Sequence, residues 1–177
     1  MCFRQIARVR NAGAHAALGS ILIFIDADTI VPPAAVTAAV AAIHTGAVGG
    51  GAPVYFDGVL PLWARALLPL LRAGLRMGRL AAGCFVFCSR AAFDAVGGFD
   101  ERLYAAEEIA FSRALGRQGS VVILREPVMT SGRKMRTHSR REIVRFYVDV
   151  LRLGTAVIRS RDALSLWYGE RRHERSQ

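Results

Sequence analysis

Two aspartates that follow a short apolar run could bind a divalent cation. Residues 20–25 are dominated by β-branched and aromatic side chains, and Asp26-Ala27-Asp28 comes directly after them. Such a run predicts a buried strand of a parallel sheet, and open α/β sheets bind ligands beyond the carboxyl ends of their strands. Mg²⁺ or Mn²⁺ uses one or two carboxylates and completes its shell with phosphate oxygens. Taken alone, the pair also fits a turn or helix cap before Pro32.

A second acidic pair, Glu107-Glu108, lies near the start of a predicted helix over residues 105–118. A carboxylate can act as a general base, and two adjacent carboxylates repel each other, which raises the pKa of one of them. The structural alternative is that the helix dipole favours acidic residues in the first turn.

Alternating strands and helices must position these acids. The pattern predicts a buried strand at 20–25 and further strands at 47–56, 82–88 and 121–124. It predicts helices at 8–19, 32–44, 60–77 (one helix, or two divided at Pro69), 89–96, 105–118 and 139–158. Ser89 is predicted to cap the helix at 89–96, and Gly97-Gly98 is predicted to form a turn. This alternation favours an α/β domain with a mainly parallel sheet flanked by helices.

Three segments resemble family-2 glycosyltransferases of the GT-A fold. RNAGAHAALGSILIFIDADT resembles the middle of that family, where a helix with Arg-Asn-x-Gly precedes the strand that delivers an Asp-x-Asp metal motif. SRAAFDAVGGFDERLYAAEEIAFSRALGRQG resembles the acceptor side, where an acidic pair heads a helix. VMTSGRKMRTHS resembles a Thr-Ser-x-Arg-(Arg/Lys) loop of one bacterial branch. The segments occur in the family's order, which implies a partial GT-A, or nucleotide-diphospho-sugar transferase, fold.

The resemblance implies roles for the two acidic pairs. Asp26 and Asp28 match the metal motif for Mg²⁺ or Mn²⁺, and Asp28 is the expected direct ligand. Glu107 and Glu108 match the motif that supplies the catalytic base, and the second position implies Glu108.

Four further residues are candidates for binding the donor, together with Asp26. Arg10 and Asn11 match the motif near the nucleotide, although Arg10 could also be a solvated arginine. Arg133 and Lys134 could face the diphosphate as positive charges, or form a solvated basic loop.

The resemblance implies transfer of a sugar from a nucleotide-diphosphate sugar to a hydroxyl of a sugar or lipid-linked acceptor. The reaction would be metal-dependent and, with one base for a direct displacement, inverting. The family's N-terminal strand-helix-strand unit, which holds the nucleoside, has no counterpart in the sequence, so we expect a domain over 1–138 that lacks this unit. A first alternative is therefore a catalytically incomplete fragment or subunit, which an upstream reading frame encoding the unit would support.

The net charge of +10 indicates an anionic partner. A basic nucleic-acid-binding module is the second alternative, but the basic tail lacks interleaved aromatic residues, so we expect no nucleic acid. The sequence shows neither a signal peptide nor an apolar run of about 18 residues, which predicts a cytoplasmic protein. Residues 139–177 are predicted to form a basic amphipathic helix and tail. This helix either packs on the domain or makes a peripheral contact with the inner membrane face. A homo-oligomer is compatible with the sequence.

Overall fold

The computed structural model describes residues 5–137 as a mixed α/β structure. The predicted amphipathic helix at 139–158 and the basic tail lie outside the described residues. The helices are α1 (Ile6–Ala16), α2 (Pro33–His44), α3 (Leu62–Met77), α4 (Arg90–Val96), α5 (Glu107–Gly116) and α6 (Arg133–Thr137). The strands are β1 (Ile21–Ile25), β2 (Thr29–Ile30), β3 (Ala47–Gly51), β4 (Val54–Phe56), β5 (Phe85–Ser89), β6 (Ser120–Ile123) and β7 (Val128–Thr130).

The main sheet has four strands in the order β1-β5-β3-β6. β5 is antiparallel to both β1 and β3, whereas β3 and β6 are parallel. Three of the four strands therefore run in the same direction, as predicted, and β5 runs in the opposite one, which makes the sheet mixed. The apolar pattern of β5 could not reveal its direction, because a strand buried on both faces has the same composition in either orientation.

Strand β1 forms one border of this sheet within the described residues. Its pairing is with β5, in a register that places Ile25 opposite Phe85. Only Leu22 of this strand is fully buried, and Ile25 is 48% exposed. The apolar run was predicted to be a buried strand, and its composition alone does not show that one side chain faces solvent.

A second, three-stranded sheet has the order β2-β7-β4. Its strand β2 comes shortly after β1 in the chain. β7 is antiparallel to β2 and parallel to β4. The hydroxyl of Thr29 donates to that of Thr130 across the β2–β7 pair, over 3.0 Å. Strands of two or three residues are too short to show a period, so β2 and β7 were not predicted from the sequence.

The core lies on both faces of the main sheet. Val86 and Cys88 of β5 pack with residues of α1, α4 and α5 on one face. Phe85 and Phe87 pack with Ala35 and Ala39 of α2 and with residues of β4 on the other. This division follows from the alternation of side chains along a strand. Helices α1, α4 and α5 therefore pack on one face of the sheet, and α2 packs on the other.

Local signals placed several elements correctly. The hydroxyl of Ser89 accepts a hydrogen bond from the backbone N–H of Ala92 over 3.2 Å, so Ser89 caps α4 as predicted. Helix α3 continues through Pro69 as one helix. No helix among residues 5–137 is long and apolar enough to span a membrane.

Candidate active site

The two acidic pairs meet at one edge of the main sheet. Asp26 follows the end of β1, and its backbone N–H donates to the carbonyl of Cys84, just before β5, over 3.2 Å. Glu107 and Glu108 form the first turn of α5. Asp26, Asp28 and Glu108 line one cavity. Acidic residues that are about 80 positions apart in the sequence therefore lie at the same cavity.

The guanidinium group of Arg10 connects the two pairs. Its Nη1 donates to Oε1 of Glu107 over 2.9 Å, and its Nη2 donates to Oδ1 of Asp26 over 3.0 Å. Nη2 also donates to the carbonyl of Gly83 over 2.7 Å. The Arg10 side chain is only 8% exposed. The alternative of a solvated arginine is therefore wrong, since this side chain is a buried cation between two carboxylates.

The start of α5 has an unusual backbone conformation. Ala106, the residue before the acidic pair, has φ 57° in the left-handed region. Such a conformation costs a non-glycine residue about 1–3 kcal/mol and is concentrated at functional sites. It turns the chain into α5 so that Glu107 is buried against Arg10 while Glu108 lies at the cavity.

Burial and mutual repulsion change the acidity of this pair. Burial, followed by the neighbouring Glu107 carboxylate, raises the pKa of Glu108 to about 7. Burial also raises the pKa of Glu107, and the positive charge of Arg10 opposes that rise. A carboxylate with a pKa near neutrality can accept a proton and release it again, which suits a general base.

The two aspartates differ in their surroundings. One oxygen of Asp26 accepts from Arg10, whereas Asp28 is exposed and has a long contact of 3.4 Å with the hydroxyl of Thr130. No cluster of three His, Cys, Asp or Glu side chains within residues 5–137 could hold a metal ion. The donor set nevertheless fits Mg²⁺ or Mn²⁺ bound partly by phosphate and water, because these ions use only one or two carboxylates in such sites.

Asn11 fixes a turn. Its amide nitrogen donates to the carbonyl of Phe99 over 2.9 Å and to Oε1 of Glu101 over 3.0 Å. Its carbonyl oxygen accepts from the backbone N–H of Phe99 over 2.9 Å. The buried Asn11 side chain thus makes three hydrogen bonds within the protein. Its contact with the donor stays a prediction.

The turn itself depends on two glycines. Gly97 and Gly98 have φ of 75° and 74°, which glycine adopts at little cost. A Cβ atom at Gly98 would lie 2.8 Å from Oδ1 of Asn11. The predicted turn at these residues is confirmed, and it ties α4 to α1.

The basic residues after β7 are only partly described. Arg133 begins α6, is exposed and lines the cavity that contains the three acids. Lys134 is its neighbour in α6. Arg136 of the same helix forms an ion pair with Asp57 over 3.1 Å. The basic residues from Arg140 onward lie outside the described residues.

Two parts of the cavity and its surroundings were not predicted from the sequence. The carbonyl of Gly83, which accepts from Arg10, has no signal in the sequence because any residue carries a carbonyl. The wall formed by α3 could have been inferred, since that helix carries leucines and arginines and no acidic residue.

One family model, described as Glycosyl transferase family 2, matches residues 4–97, which is more than half of the 177-residue chain. The matched region contains Arg10, Asn11 and both aspartates, and it ends before the Glu107-Glu108 pair. No curated protein matches the chain.

Proposed function

Because the chain belongs to glycosyltransferase family 2, we propose that it transfers a sugar from a nucleotide-diphosphate sugar to an acceptor hydroxyl at the Asp26–Asp28–Glu108 cavity. The observation that carries the proposal is the convergence of these three carboxylates on one cavity, with Arg10 between the two pairs. The donor would therefore lie with its diphosphate toward the aspartates and its sugar toward Glu108.

Glu108 is proposed as the catalytic base. Its carboxylate takes the proton from the acceptor hydroxyl while that oxygen forms a bond to the anomeric carbon of the sugar. The bond between the anomeric carbon and the diphosphate oxygen breaks, and the nucleoside diphosphate leaves with the bonding electrons. One displacement from the opposite face inverts the anomeric configuration. A pKa of about 7 keeps much of Glu108 ionised at neutral pH.

Asp28 and Asp26 are the residues that would hold Mg²⁺ or Mn²⁺. When bound, the ion supplies positive charge that stabilises the leaving diphosphate. Arg10 keeps Asp26 in place through its hydrogen bond to Oδ1 and leaves Asp28 as the freer carboxylate. Arg133, at the same cavity, adds a positive charge on the protein side.

Replacement of Asp28 by Asn should weaken the binding of a nucleoside diphosphate in the presence of Mn²⁺ by about tenfold or more. The reason is that a site with two carboxylates loses one of its two charged ligands. Isothermal titration calorimetry with UDP, GDP and dTDP, each with and without Mn²⁺, measures this change.

Asp94→Asn is the matched control, since Asp94 is an exposed aspartate on α4 outside this cavity. It should bind nucleotide and Mn²⁺ like the unaltered chain. Equal affinity of the Asp28→Asn protein and the unaltered chain would remove the aspartates from the proposed site.

A further inference from the structure

The cavity that Asp26, Asp28 and Glu108 line has other walls that are mostly apolar. The cavity has a volume of about 650 Å³ and lies between α3 and strand β4. Leu68, Leu71 and Leu75 line it from α3, Val54 lines it from β4, and Ile123 lines it from the end of β6. Its size is that of a pocket for a small molecule, about 300–1,000 Å³.

The arginines of α3 do not make these walls polar. Cζ of Arg72 lies 4.4 Å from the ring centroid of Tyr55, and its Nε donates to the carbonyl of Leu68. Nη1 of Arg76 donates to the carbonyl of Leu124 over 3.2 Å. Both guanidinium groups are thus held by protein groups, so that their aliphatic stems can extend the apolar wall.

The cavity opens beside α3. Leu71 lines the cavity and is nevertheless 42% exposed. Leu67 and Leu70 on the same helix are 48% and 71% exposed. Apolar surface therefore continues from the mouth of the cavity to the outside of the protein, which would let an apolar chain enter from there.

The apolar walls of the cavity favour an acceptor with a hydrocarbon chain over a sugar without one. Sugar hydroxyls placed against leucine side chains would lose hydrogen bonds to water without gaining partners, which is unfavourable. A hydrocarbon chain in the same place would gain affinity, by about fourfold for each methylene group removed from water. The three acids that line the same cavity are the groups that a hydroxyl at the head of such a chain would meet.

We propose that the acceptor is an amphiphilic alcohol, whose hydrocarbon chain lies along α3 while its hydroxyl group reaches Glu108. This inference rests on the proposed glycosyl transfer and names the acceptor class for the same site. A water-soluble sugar without a hydrocarbon chain would leave most of the cavity wall uncovered.

The test is a calorimetric titration of the full chain with glucose and with hexyl, octyl and decyl β-D-glucoside below their micelle concentrations. The dissociation constant should fall about 15-fold for each two added methylene groups, and glucose should not bind. Leu71→Gln should weaken octyl glucoside binding by about tenfold or more, because it places an amide on the cavity wall.

Leu70→Gln is the matched control, since Leu70 is the adjacent leucine, is more exposed and does not line the cavity. Its affinity for octyl glucoside should equal that of the unaltered chain. Leu75→Gln, which also changes a cavity-lining residue, should behave like Leu71→Gln and gives a second measurement if one variant fails to fold.

Affinity that does not depend on chain length would overturn the inference. So would equal weakening by Leu70→Gln and Leu71→Gln, which would indicate adsorption on the exposed leucines. Nucleotide binding with Mn²⁺, measured on the same protein, separates the two proposals. If nucleotide binds and the alkyl glucosides do not, the hydrocarbon acceptor alone is wrong. If the alkyl glucosides bind and nucleotide does not, the glycosyl transfer is wrong, and the acceptor role of the cavity is overturned with it.

Discussion

Replacement of Glu108 by Gln is expected to reduce turnover of the nucleotide sugar by about 100-fold or more, with little change in nucleotide affinity. The amide has nearly the same shape but cannot accept the proton from the acceptor, and a positioned base contributes about 10²–10⁴ in rate. Release of nucleoside diphosphate gives the rate, and nucleotide titration gives the affinity. Glu107→Gln is the matched variant, because it alters the neighbouring carboxylate, which is bound to Arg10.

The pH dependence should identify the same residue. A general base acts in its ionised form, so kcat/KM should rise with pH and level off above about pH 7, the pKa of Glu108. The Glu107 carboxylate is the second-largest cause of that raised pKa. Removing its charge in Glu107→Gln should therefore move the inflection to lower pH. If Glu107→Gln is inactive and Glu108→Gln keeps its rate and its profile, Glu107 is the base instead.

Replacement of Arg10 by Met should lower the free energy of unfolding by about 3 kcal/mol or more near pH 8. Removing one partner of a buried ion pair leaves an uncompensated charge, which costs about 3–5 kcal/mol. Here the Glu107 carboxylate loses its cation, and the carbonyl of Gly83 loses a donor. Urea denaturation monitored by circular dichroism measures the change.

Arg8→Met is the control for the Arg10 variant. Arg8 forms its ion pair with Glu101 over 3.3 Å at the surface, where the two side chains are 54% and 46% exposed. Breaking such a pair costs less than about 1 kcal/mol. Equal losses of stability in the two variants would contradict the buried role of Arg10.

The stability of the Arg10→Met protein should also depend on pH. Burial raises the pKa of Glu107 above its ordinary value, and loss of Arg10 raises it further because the cation opposed that rise. The unpaired carboxylate destabilises the variant while it is ionised, so the deficit is largest at high pH. It should shrink as the pH falls toward 5 and Glu107 takes up a proton.

The sequence allowed prediction of the acidic groups of the site but not of their electrostatic connection. Asp26 and Asp28 follow an apolar run, and Glu107 and Glu108 begin a helix, but these local patterns also fit a turn, a cap or a helix-dipole role. The resemblance to family-2 glycosyltransferases singled out the two pairs. The role of Arg10 depends on a contact with Glu107, 97 residues away in the chain, and on a backbone carbonyl. The residues next to Arg10 in the sequence indicate neither of these hydrogen-bond partners.

The fold, too, was predictable where it depends on neighbouring residues, but not where it depends on residues far apart in the sequence. The cap at Ser89 and the turn at Gly97-Gly98 depend on neighbouring residues and were predicted. The reversed direction of β5 depends on the path of the chain through α3, and pairing of β2 with β7 joins segments about 100 residues apart. The apolar wall of the cavity likewise arises from α3, β4 and β6 together.

The central claim is that this cavity performs metal-dependent sugar transfer with Glu108 as the base. The most direct measurement is the release of nucleoside diphosphate from a panel of nucleotide sugars, with octyl glucoside as acceptor and with Mn²⁺ or EDTA. NMR of the product gives its anomeric configuration. We expect release that requires Mn²⁺, is lost in Glu108→Gln and yields the inverted anomer. The absence of release from every donor, release that EDTA leaves unchanged, or a product with retained configuration would contradict the claim.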